Sequence, residues 1–194
     1  LAHQDQTLVM AAADGDGVGT AVKVVSIRPE NPARGLPMIQ ASVVWHDGES
    51  GRPMAVLDGD AVTALRTGAA SGVATAELAD PDAATLAVVG AGVQAPDQVQ
   101  AVRAVRPIET VRIASRTRAS ADRLAALISA AADVAVEVCA TPADAVAGAD
   151  VVCCATTARE PLFPASALGT RVHVNAVGSF RPEMRELGSD ILGS

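Results

Sequence analysis

The chain has 194 residues, 49% of them apolar and 19% charged, and its 15 basic and 22 acidic residues give a net charge of −7. This apolar content supplies a sizeable core and excludes a disordered chain, and the length fits one large domain or one and a fraction. The acidic balance, with only two Phe, one Trp and no Tyr to stack on bases, argues against a nucleic-acid partner.

Neither a membrane span nor a metal site is predicted. The longest apolar runs, such as residues 151–155, are far shorter than the ~18 residues of a membrane span, and no basic-then-apolar signal segment opens the sequence, so we expect a cytoplasmic protein. Cys139, Cys153 and Cys154 lie in Val-rich runs without C-x-x-C spacing, which predicts buried thiols rather than a disulfide. The three histidines show no paired spacing, which argues further against a metal site.

The first third of the chain is predicted to be an antiparallel β segment, residues 1–60. Asp-Gly pairs, which are typical of hairpin turns, occur at 14/15, 16/17, 47/48 and 58/59. The β-branched runs between them are the predicted strands, at residues 21–27, 38–45 and 54–57. The last two runs are expected to form a hairpin around a loop at residues 46–51.

A connecting helix is predicted over residues 61–80. Asp60 is a suitable N-cap, and small and apolar residues recur at helical spacing as far as Leu78. Asp80-Pro81 then ends the pattern.

From residue 81 to residue 194, predicted strands and helices alternate. The strands are residues 85–89, 111–114, 134–138, 151–154 and 172–177, and the helices are residues 94–105, 120–131 and 142–147. Continuous Val/Ile/Ala strands that alternate with amphipathic helices are typical of a parallel sheet covered on both faces. We therefore predict an α/β chain in which the β segment is followed by a doubly wound Rossmann domain.

The first strand of this domain runs into G-A-G-V-Q-A at residues 90–95, a G-x-G-x-x-A turn that opens a helix. In such a turn Gly90 makes the bend, Gly92 lets the backbone approach a pyrophosphate, and Ala95 permits close packing of helix on strand. The free amides of the helix N-terminus receive the negative charge. The context predicts a dinucleotide site, with a plain tight turn as the alternative.

The end of the second strand indicates which dinucleotide binds. NAD sites place an Asp or Glu there to accept hydrogen bonds from the adenosine 2′-hydroxyl, but this chain has Ser115-Arg116-Thr117-Arg118. Arg116 can pair with a 2′-phosphate, and the hydroxyls of Ser115 and Thr117 can donate to it. The loop favours NADP(H) over NAD(H), and a solvated arginine-rich loop is the alternative.

Several segments together resemble the ornithine cyclodeaminase/mu-crystallin family, nearly from end to end. They are G-L-P at 35–37, G-R-P-M-A at 51–55, L-R-T-G-A-A-S at 65–71, V-V-G-A-G-V-Q-A at 88–95 and N-A-V-G-S at 175–179. The T-A-L-R-T segment at 63–67 is the most specific element, because ordinary Rossmann dehydrogenases lack it.

The resemblance implies a homodimer whose β domain packs beside the Rossmann domain, with a small imino or amino acid as substrate. It also implies that the chain is truncated at both ends, since family members continue before Leu1 and return to the β domain at the C-terminus. By the same resemblance, Lys23 and Arg66 bind the substrate carboxylate. Arg66, Thr67, Val93, Gln94, Ser115, Arg116, Thr117, Thr156 and Val177 surround the cofactor.

Composition gives Lys23 separate interest, because it is the one lysine in a chain with 14 arginines. A guanidinium such as Arg66 can orient a carboxylate at two points, and the Lys23 ammonium adds a compact charge or a proton donor. A surface lysine and an ordinary exposed arginine are the alternatives for these two residues.

The departures from the family pattern favour one branch. Cyclodeaminases carry an aspartate where this chain has Phe180, a lysine where it has Met184, and an acid, with NAD, where it has Ser115. The run at residues 177–187 instead resembles the NADPH-dependent ketimine reductases, which reduce Δ1-pyrroline-2-carboxylate or Δ1-piperideine-2-carboxylate to L-proline or L-pipecolate. An ornithine cyclodeaminase, an alanine-dehydrogenase-type enzyme and a non-catalytic NADPH-dependent binding protein remain the alternatives.

Overall fold

A computed structural model describes residues 5–192 of the protein, and the chain divides into two compact units after Leu65. The first unit is an antiparallel sheet of four strands in the order β1-β2-β3-β4. The strands are β1 (Gln6–Ala13), β2 (Gly19–Ile27), β3 (Ile39–Asp47) and β4 (Pro53–Asp58), and a short 3-10 helix covers Asn31–Arg34. The three predicted strands are confirmed.

Strand β1 was not among the predicted strands. All eight of its residues are exposed, so it lacks the alternation of buried and exposed residues by which a strand is recognised in a sequence. It is nevertheless fully paired with β2, from Gln6 opposite Ile27 to Ala13 opposite Thr20.

The hairpin of β3 and β4 is confirmed, but its loop is shorter than predicted. Strand β3 continues to Asp47 and β4 begins at Pro53, with an irregularity in the pairing between Trp45 and His46. Asp47 closes the turn by accepting hydrogen bonds from the amide (2.8 Å) and hydroxyl (2.6 Å) of Ser50, and these bonds lower the pKa of the Asp47 carboxyl.

Helix α1 (Gly59–Leu78) follows β4 directly, so the prediction of a hairpin turn at 58/59 is wrong. The prediction of Asp60 as its cap is also wrong. Asp58 Oδ1 accepts hydrogen bonds from the amides of Asp60 (2.8 Å) and Ala61 (3.1 Å), which is the geometry of an N-cap side chain. Asp60 lies in the first turn, where burial, and secondly the charge of Asp58, raise the pKa of its carboxyl.

The second unit contains a parallel sheet of five strands in the order β7-β6-β5-β8-β9. Its elements are β5 (Thr85–Val89), α2 (Ala95–Arg103), β6 (Thr110–Ala114), α3 (Arg118–Ala131), β7 (Ala135–Val138), α4 (Pro142–Val146), β8 (Val151–Cys154), β9 (His173–Ala176) and α5 (Ser189–Leu192), with a 3-10 helix at Ala165–Ala167. The predicted alternation of strands and helices is confirmed.

The two faces of this sheet bury two separate cores, which confirms the doubly wound fold. Alternate strand residues such as Leu86 and Val88 pack with α2 and α3, whereas Ala87 and Val89 pack with α4 and Phe163. The central strands are buried on both faces, and for this reason they read as unbroken apolar runs in the sequence.

Two of the cysteines belong to these cores. Cys153 and Cys154 are buried and free, as predicted, and burial raises the pKa of the Cys153 thiol to about 12. Cys139 is only half-buried, so the prediction is wrong for that residue. Within residues 5–192, no His/Cys/Asp/Glu group could hold a metal ion, and none of the helices found there is long and apolar enough to cross a membrane.

The cap of α1 gives the first prediction. Asp58→Ala should lower the free energy of unfolding by about 1 kcal/mol, because two amides lose their acceptor. Asp60→Asn is the matched control and should cost less at pH 7, since folding disfavours the ionised Asp60. Any gain in stability from Asn at position 60 should disappear as the pH falls below 3.8, the ordinary pKa of an aspartate, because Asp60 is then protonated in both the folded and the unfolded state. Urea unfolding at pH 3 and pH 7 measures both effects, and equal losses at pH 7 would contradict the assignment of the cap.

Candidate dinucleotide-binding site

The strand order places a switch point at the carboxyl end of β5. From β5 the chain runs outward through β6 to β7, then returns to the other side of β5 to form β8 and β9. In open α/β sheets the connections diverge at such a point, and ligands bind in the crevice outside the strand ends. The G-x-G-x-x-A turn begins at this crevice, directly after Val89.

Gly90 is required by the fold itself. Its φ is +102°, which L side chains rarely adopt, and a Cβ placed there would lie 2.6 Å from the carbonyl oxygen of Ala155, which follows β8. Its amide donates to the Ala114 carbonyl at the end of β6 (2.8 Å). Gly90 therefore joins the ends of three neighbouring strands.

Gly92 differs from Gly90 both in its φ and in the space around its α-carbon. Its φ is not positive, and a Cβ placed there would meet no atom within 4 Å. The absence of a side chain at this position is thus not needed for packing, and it leaves open space beside the backbone of the turn. This is the property that a pyrophosphate-binding turn needs at its second glycine.

The turn also presents main-chain donors. Helix α2 begins at Ala95 after Gln94, whose side chain makes no capping hydrogen bond. Within the described residues, the amides of Gly92, Val93 and Gln94 donate to no other group of the chain. Val93 is 77% exposed, so it covers no core. Free amides at the start of a helix fit the negative charge of a pyrophosphate.

The loop after β6 holds Arg116 at the surface. Arg116 makes no ion pair or hydrogen bond with the part of the chain that the structure describes, whereas Arg118 is paired with Asp122 at 2.8 Å. Thr117 caps α3 by accepting from the Ser120 amide, and its hydroxyl proton goes to Ser120 Oγ (2.8 Å). Ser115 is half-buried at the strand end. Arg116 is therefore the free cation of this loop.

The loops after β8 and β9 contribute Thr156 and Val177. Thr156 lies against the glycine turn, because a Cβ at Gly90 would be 2.9 Å from Thr156 Cγ2. The Val177 amide extends the ladder of β9 by donating to the Cys154 carbonyl (2.9 Å). Glu186 lies between these loops and was not predicted from the sequence.

Arg66 and Thr67 lie on α1, close to the start of α2. A Cβ at Gly68 would be 2.7 Å from the carbonyl oxygen of Asp97, so the two helices approach closely just after Arg66. Thr67 is buried, and Arg66 is exposed without an ion pair or hydrogen bond to the described residues. The site residues of the second unit thus share one edge, that of the glycine turn. A shallow cavity of about 430 Å³ between residues 78–81 and 170–173 lies at the opposite edge.

Lys23 belongs to the first unit and lies in the middle of β2, paired with Met10 and Val43. It is half-buried, and its Nζ donates to Thr63 Oγ1, which itself donates to the Gly59 carbonyl (2.6 Å). Its charge also acts on Asp60, whose pKa it pulls down against the effect of burial. The lysine is thus held by the start of α1.

Comparison with known proteins identifies the family of the chain. The profile of the ornithine cyclodeaminase/mu-crystallin family matches residues 2–194. The chain belongs to this family.

Relatives within the family are longer than the chain. It is 38% identical to a Δ1-pyrroline-2-carboxylate reductase of Bacillus cereus, covering 100% of the chain and 60% of that protein. It is 34% identical to the ketimine reductase mu-crystallin of Mus musculus, covering 98% and 59%. The structure of Thermococcus litoralis Δ1-pyrroline-2-carboxylate reductase in complex with NADH and L-proline matches with a TM-score of 0.84 at 34% identity, covering 97% and 63%. The chain thus spans about three fifths of the length of these proteins.

The two glycines give the second prediction. Gly92→Ala should leave the melting temperature unchanged or slightly raised, because the backbone accepts a side chain there and the unfolded chain loses freedom. Its affinity for a dinucleotide should fall at least about tenfold, since the methyl group occupies the approach of the pyrophosphate. Fluorescence titration with NADPH and thermal melting measure the two effects.

Gly90→Ala is the matched control for this prediction. It should lose about 1–3 kcal/mol of stability, because it forces a side chain into a positive φ and against Ala155. If Gly92→Ala instead destabilises the protein as much as Gly90→Ala does, the space at Gly92 serves folding and not a ligand.

Proposed function

We propose that the protein is an NADPH-dependent reductase of cyclic ketimine carboxylates, which converts Δ1-pyrroline-2-carboxylate or Δ1-piperideine-2-carboxylate to L-proline or L-pipecolate. The observation that carries this proposal is the match of the whole chain to a Δ1-pyrroline-2-carboxylate reductase at 38% identity. The glycine turn, the free amides after it and the exposed arginines at the same edge support it from the side of the structure.

The described residues fit a dinucleotide along the carboxyl edge of the parallel sheet. Gly90, Gly92, Val93 and Gln94 would hold the pyrophosphate, and Ser115 and Arg116 the adenosine end, where Thr117 could contribute only its backbone because its hydroxyl is bonded to Ser120. Thr67, Thr156 and Val177 would hold the other half, together with Arg66. When bound, the cofactor supplies the hydride that reduces the C=N bond.

Arg66 and Lys23 are the proposed substrate ligands. The guanidinium of Arg66 has no partner in residues 5–192, so its two-point geometry is available to a carboxylate. The Lys23 ammonium, which donates to Thr63 within the first unit, would add a compact positive charge or a proton donor. Orienting the carboxylate at both oxygens fixes which face of the imine is open to hydride.

The preference for NADPH rests on the loop after β6. No carboxylate stands at residues 115–118 to receive an adenosine 2′-hydroxyl, and Arg116 is free to pair with a 2′-phosphate. The N-terminus of α3, capped by Thr117, adds positive potential at the same place.

The proposal can be distinguished from its alternatives by the products formed. Phe180, 55% exposed and beside the guanidinium of Arg181, offers no acid or base, which disfavours a cyclodeaminase or an alanine-dehydrogenase-type enzyme that must handle ammonia. A ketimine reductase consumes NADPH with Δ1-pyrroline-2-carboxylate, and a cyclodeaminase releases ammonia from ornithine. A non-catalytic binding protein of the crystallin type would bind NADPH and do neither.

A homodimer is part of the proposal. The outer strands of the first sheet expose large apolar side chains, such as Val9 (67%) and Val56 (75%). Exposed apolar patches on a strand are typical of surfaces that contact another protein.

The cofactor preference gives the third prediction. Arg116→Ala should weaken NADPH binding by about 1.5–3 kcal/mol, the range of a charged hydrogen bond, and leave NADH binding nearly unchanged. Arg118→Ala is the matched control, because Arg118 is paired with Asp122 and should affect neither cofactor. Calorimetric titration of both cofactors measures this, and equal affinity of the parent for NADPH and NADH would refute the preference.

The substrate clamp gives the fourth prediction. Arg66→Lys should lower kcat/KM for Δ1-pyrroline-2-carboxylate at least about 100-fold, because an ammonium cannot reproduce the two-point contact. The melting temperature should scarcely change, since Arg66 is exposed. Arg123→Lys, an exposed arginine of α3, should keep full activity. Full activity in Arg66→Lys would make Arg66 an ordinary surface arginine.

A further inference from the structure

Glu186 is a buried carboxylate for which neither the cofactor nor the substrate proposal has a use. The residue is 1% exposed, and it is the one charged residue in the buried class of the described chain. A buried charge is costly unless hydrogen bonds satisfy it. Its place in the fold therefore calls for an explanation.

The carboxylate binds two loops at once. Oε1 accepts hydrogen bonds from the amide (2.7 Å) and the hydroxyl (2.8 Å) of Thr156, and Oε2 accepts one from the amide of Gly178 (2.8 Å). The backbone around Glu186 is fixed as well, because the Leu162 amide donates to its carbonyl (2.9 Å) and the Arg185 amide donates to the Ala158 carbonyl (2.8 Å). Both carboxylate oxygens of a residue with a fixed backbone thus accept hydrogen bonds from the two loops.

These loops leave the sheet side by side. Strands β8 and β9 are paired as far as Cys154 opposite Ala176, and the Val177 amide makes one more bond to the Cys154 carbonyl. Beyond that bond, the carboxylate of Glu186 connects the two loops. Gly178 fits against it closely, since a Cβ there would lie 2.6 Å from Glu186 Oε1.

The link extends to the glycine turn. On one side Thr156 is hydrogen-bonded to Glu186, and on the other it lies against Gly90. A Cβ placed at Gly90 would be 2.9 Å from Thr156 Cγ2. With the adenosine end of a dinucleotide held at the loop after β6, its other half would extend from the turn across β8 and β9. The pair of loops that Glu186 joins would then lie beneath that half.

We propose that Glu186 is a positioning residue for hydride transfer: it fixes the loops of Thr156 and Gly178 under the nicotinamide half of the dinucleotide. This inference rests on the proposed function. Glu186 acts through these two residues and touches neither cofactor nor substrate. Because small displacements of reacting groups reduce rates strongly, loosening this link should slow the transfer more than it weakens substrate binding.

Glu186→Gln is the most informative substitution. The amide keeps the shape of the side chain and one oxygen, which can still accept from Thr156. Its NH2 group then faces the Gly178 amide, so a donor meets a donor and the second loop is released. Asp150→Asn is the matched control: Asp150 Oδ2 accepts from the amides of Ala84 and Thr85 (2.9 Å each) at the opposite edge of the same sheet.

Three measurements on the whole protein test the inference. Without dinucleotide, hydrogen exchange at residues 177–179 should be about tenfold faster in Glu186→Gln and unchanged in Asp150→Asn. With NADPH and Δ1-pyrroline-2-carboxylate, kcat should fall about 10- to 100-fold with little change in the KM for the imine, and the isotope effect of C4-deuterated NADPH on kcat should rise. The NADPH affinity should fall in Glu186→Gln and stay unchanged in Asp150→Asn.

The outcomes separate this inference from the proposed function. Parental exchange, kcat and isotope effect in Glu186→Gln would overturn the role of Glu186 and leave the reductase proposal intact. A parent protein that reduces no imine would refute the reductase proposal. The role of Glu186 would then be tested by NADPH binding alone, and equal NADPH affinities of the parent protein and Glu186→Gln would overturn that role. If Glu186→Gln does not fold, Thr156→Val takes its place, because it removes the hydroxyl donor, one of the three donors to Glu186. The same measurements apply to this variant, and parental values would again overturn the inference.

Discussion

The carboxyl edge of the parallel sheet depends on how closely three backbones approach one another at Gly90. Its amide reaches the end of β6, and its α-carbon stands against the chain that leaves β8. One residue therefore fixes the glycine turn relative to the loop of Arg116 on one side and the loop of Thr156 on the other. A side chain at this position would separate the strand ends, and the amides of the turn would no longer lie in register with either loop.

Sequence reasoning was most successful where a single local property decides the structure. Strands buried on both faces read as unbroken apolar runs, so β5 and β8 were predicted. The glycine turn was predicted because its conformation requires a particular residue. Strand β1 escaped because it is exposed along its length and owes its structure to pairing with β2. The cap of α1 was assigned two residues late, because Asp58 and Asp60 are equivalent as sequence signals and only the backbone distinguishes them.

The candidate site shows the same division between local and distant determinants. Arg116 and Gly92 lie within short motifs whose chemistry can be recognised, and the structure leaves both of them accessible. Glu186 lies in a polar run near the end of the chain, 30 residues from Thr156, and nothing in the run marks it as buried. Thr117 shows the converse case, because its hydroxyl, predicted for a phosphate, is engaged in capping α3. Pairings across such distances follow from the topology and not from spacing.

Lys23 has a practical consequence because it is the one lysine of the 194 residues. Reagents that modify ε-amino groups have a single side-chain target in this sequence, and it lies in the centre of a sheet with its Nζ bound to Thr63. The rate at which this amine is carbamylated or reductively methylated therefore reports on the contacts that hold one side chain. Since the bonded ammonium must release Thr63 before it can react, isotopic methyl groups placed there would give an NMR signal for local opening between β2 and the start of α1.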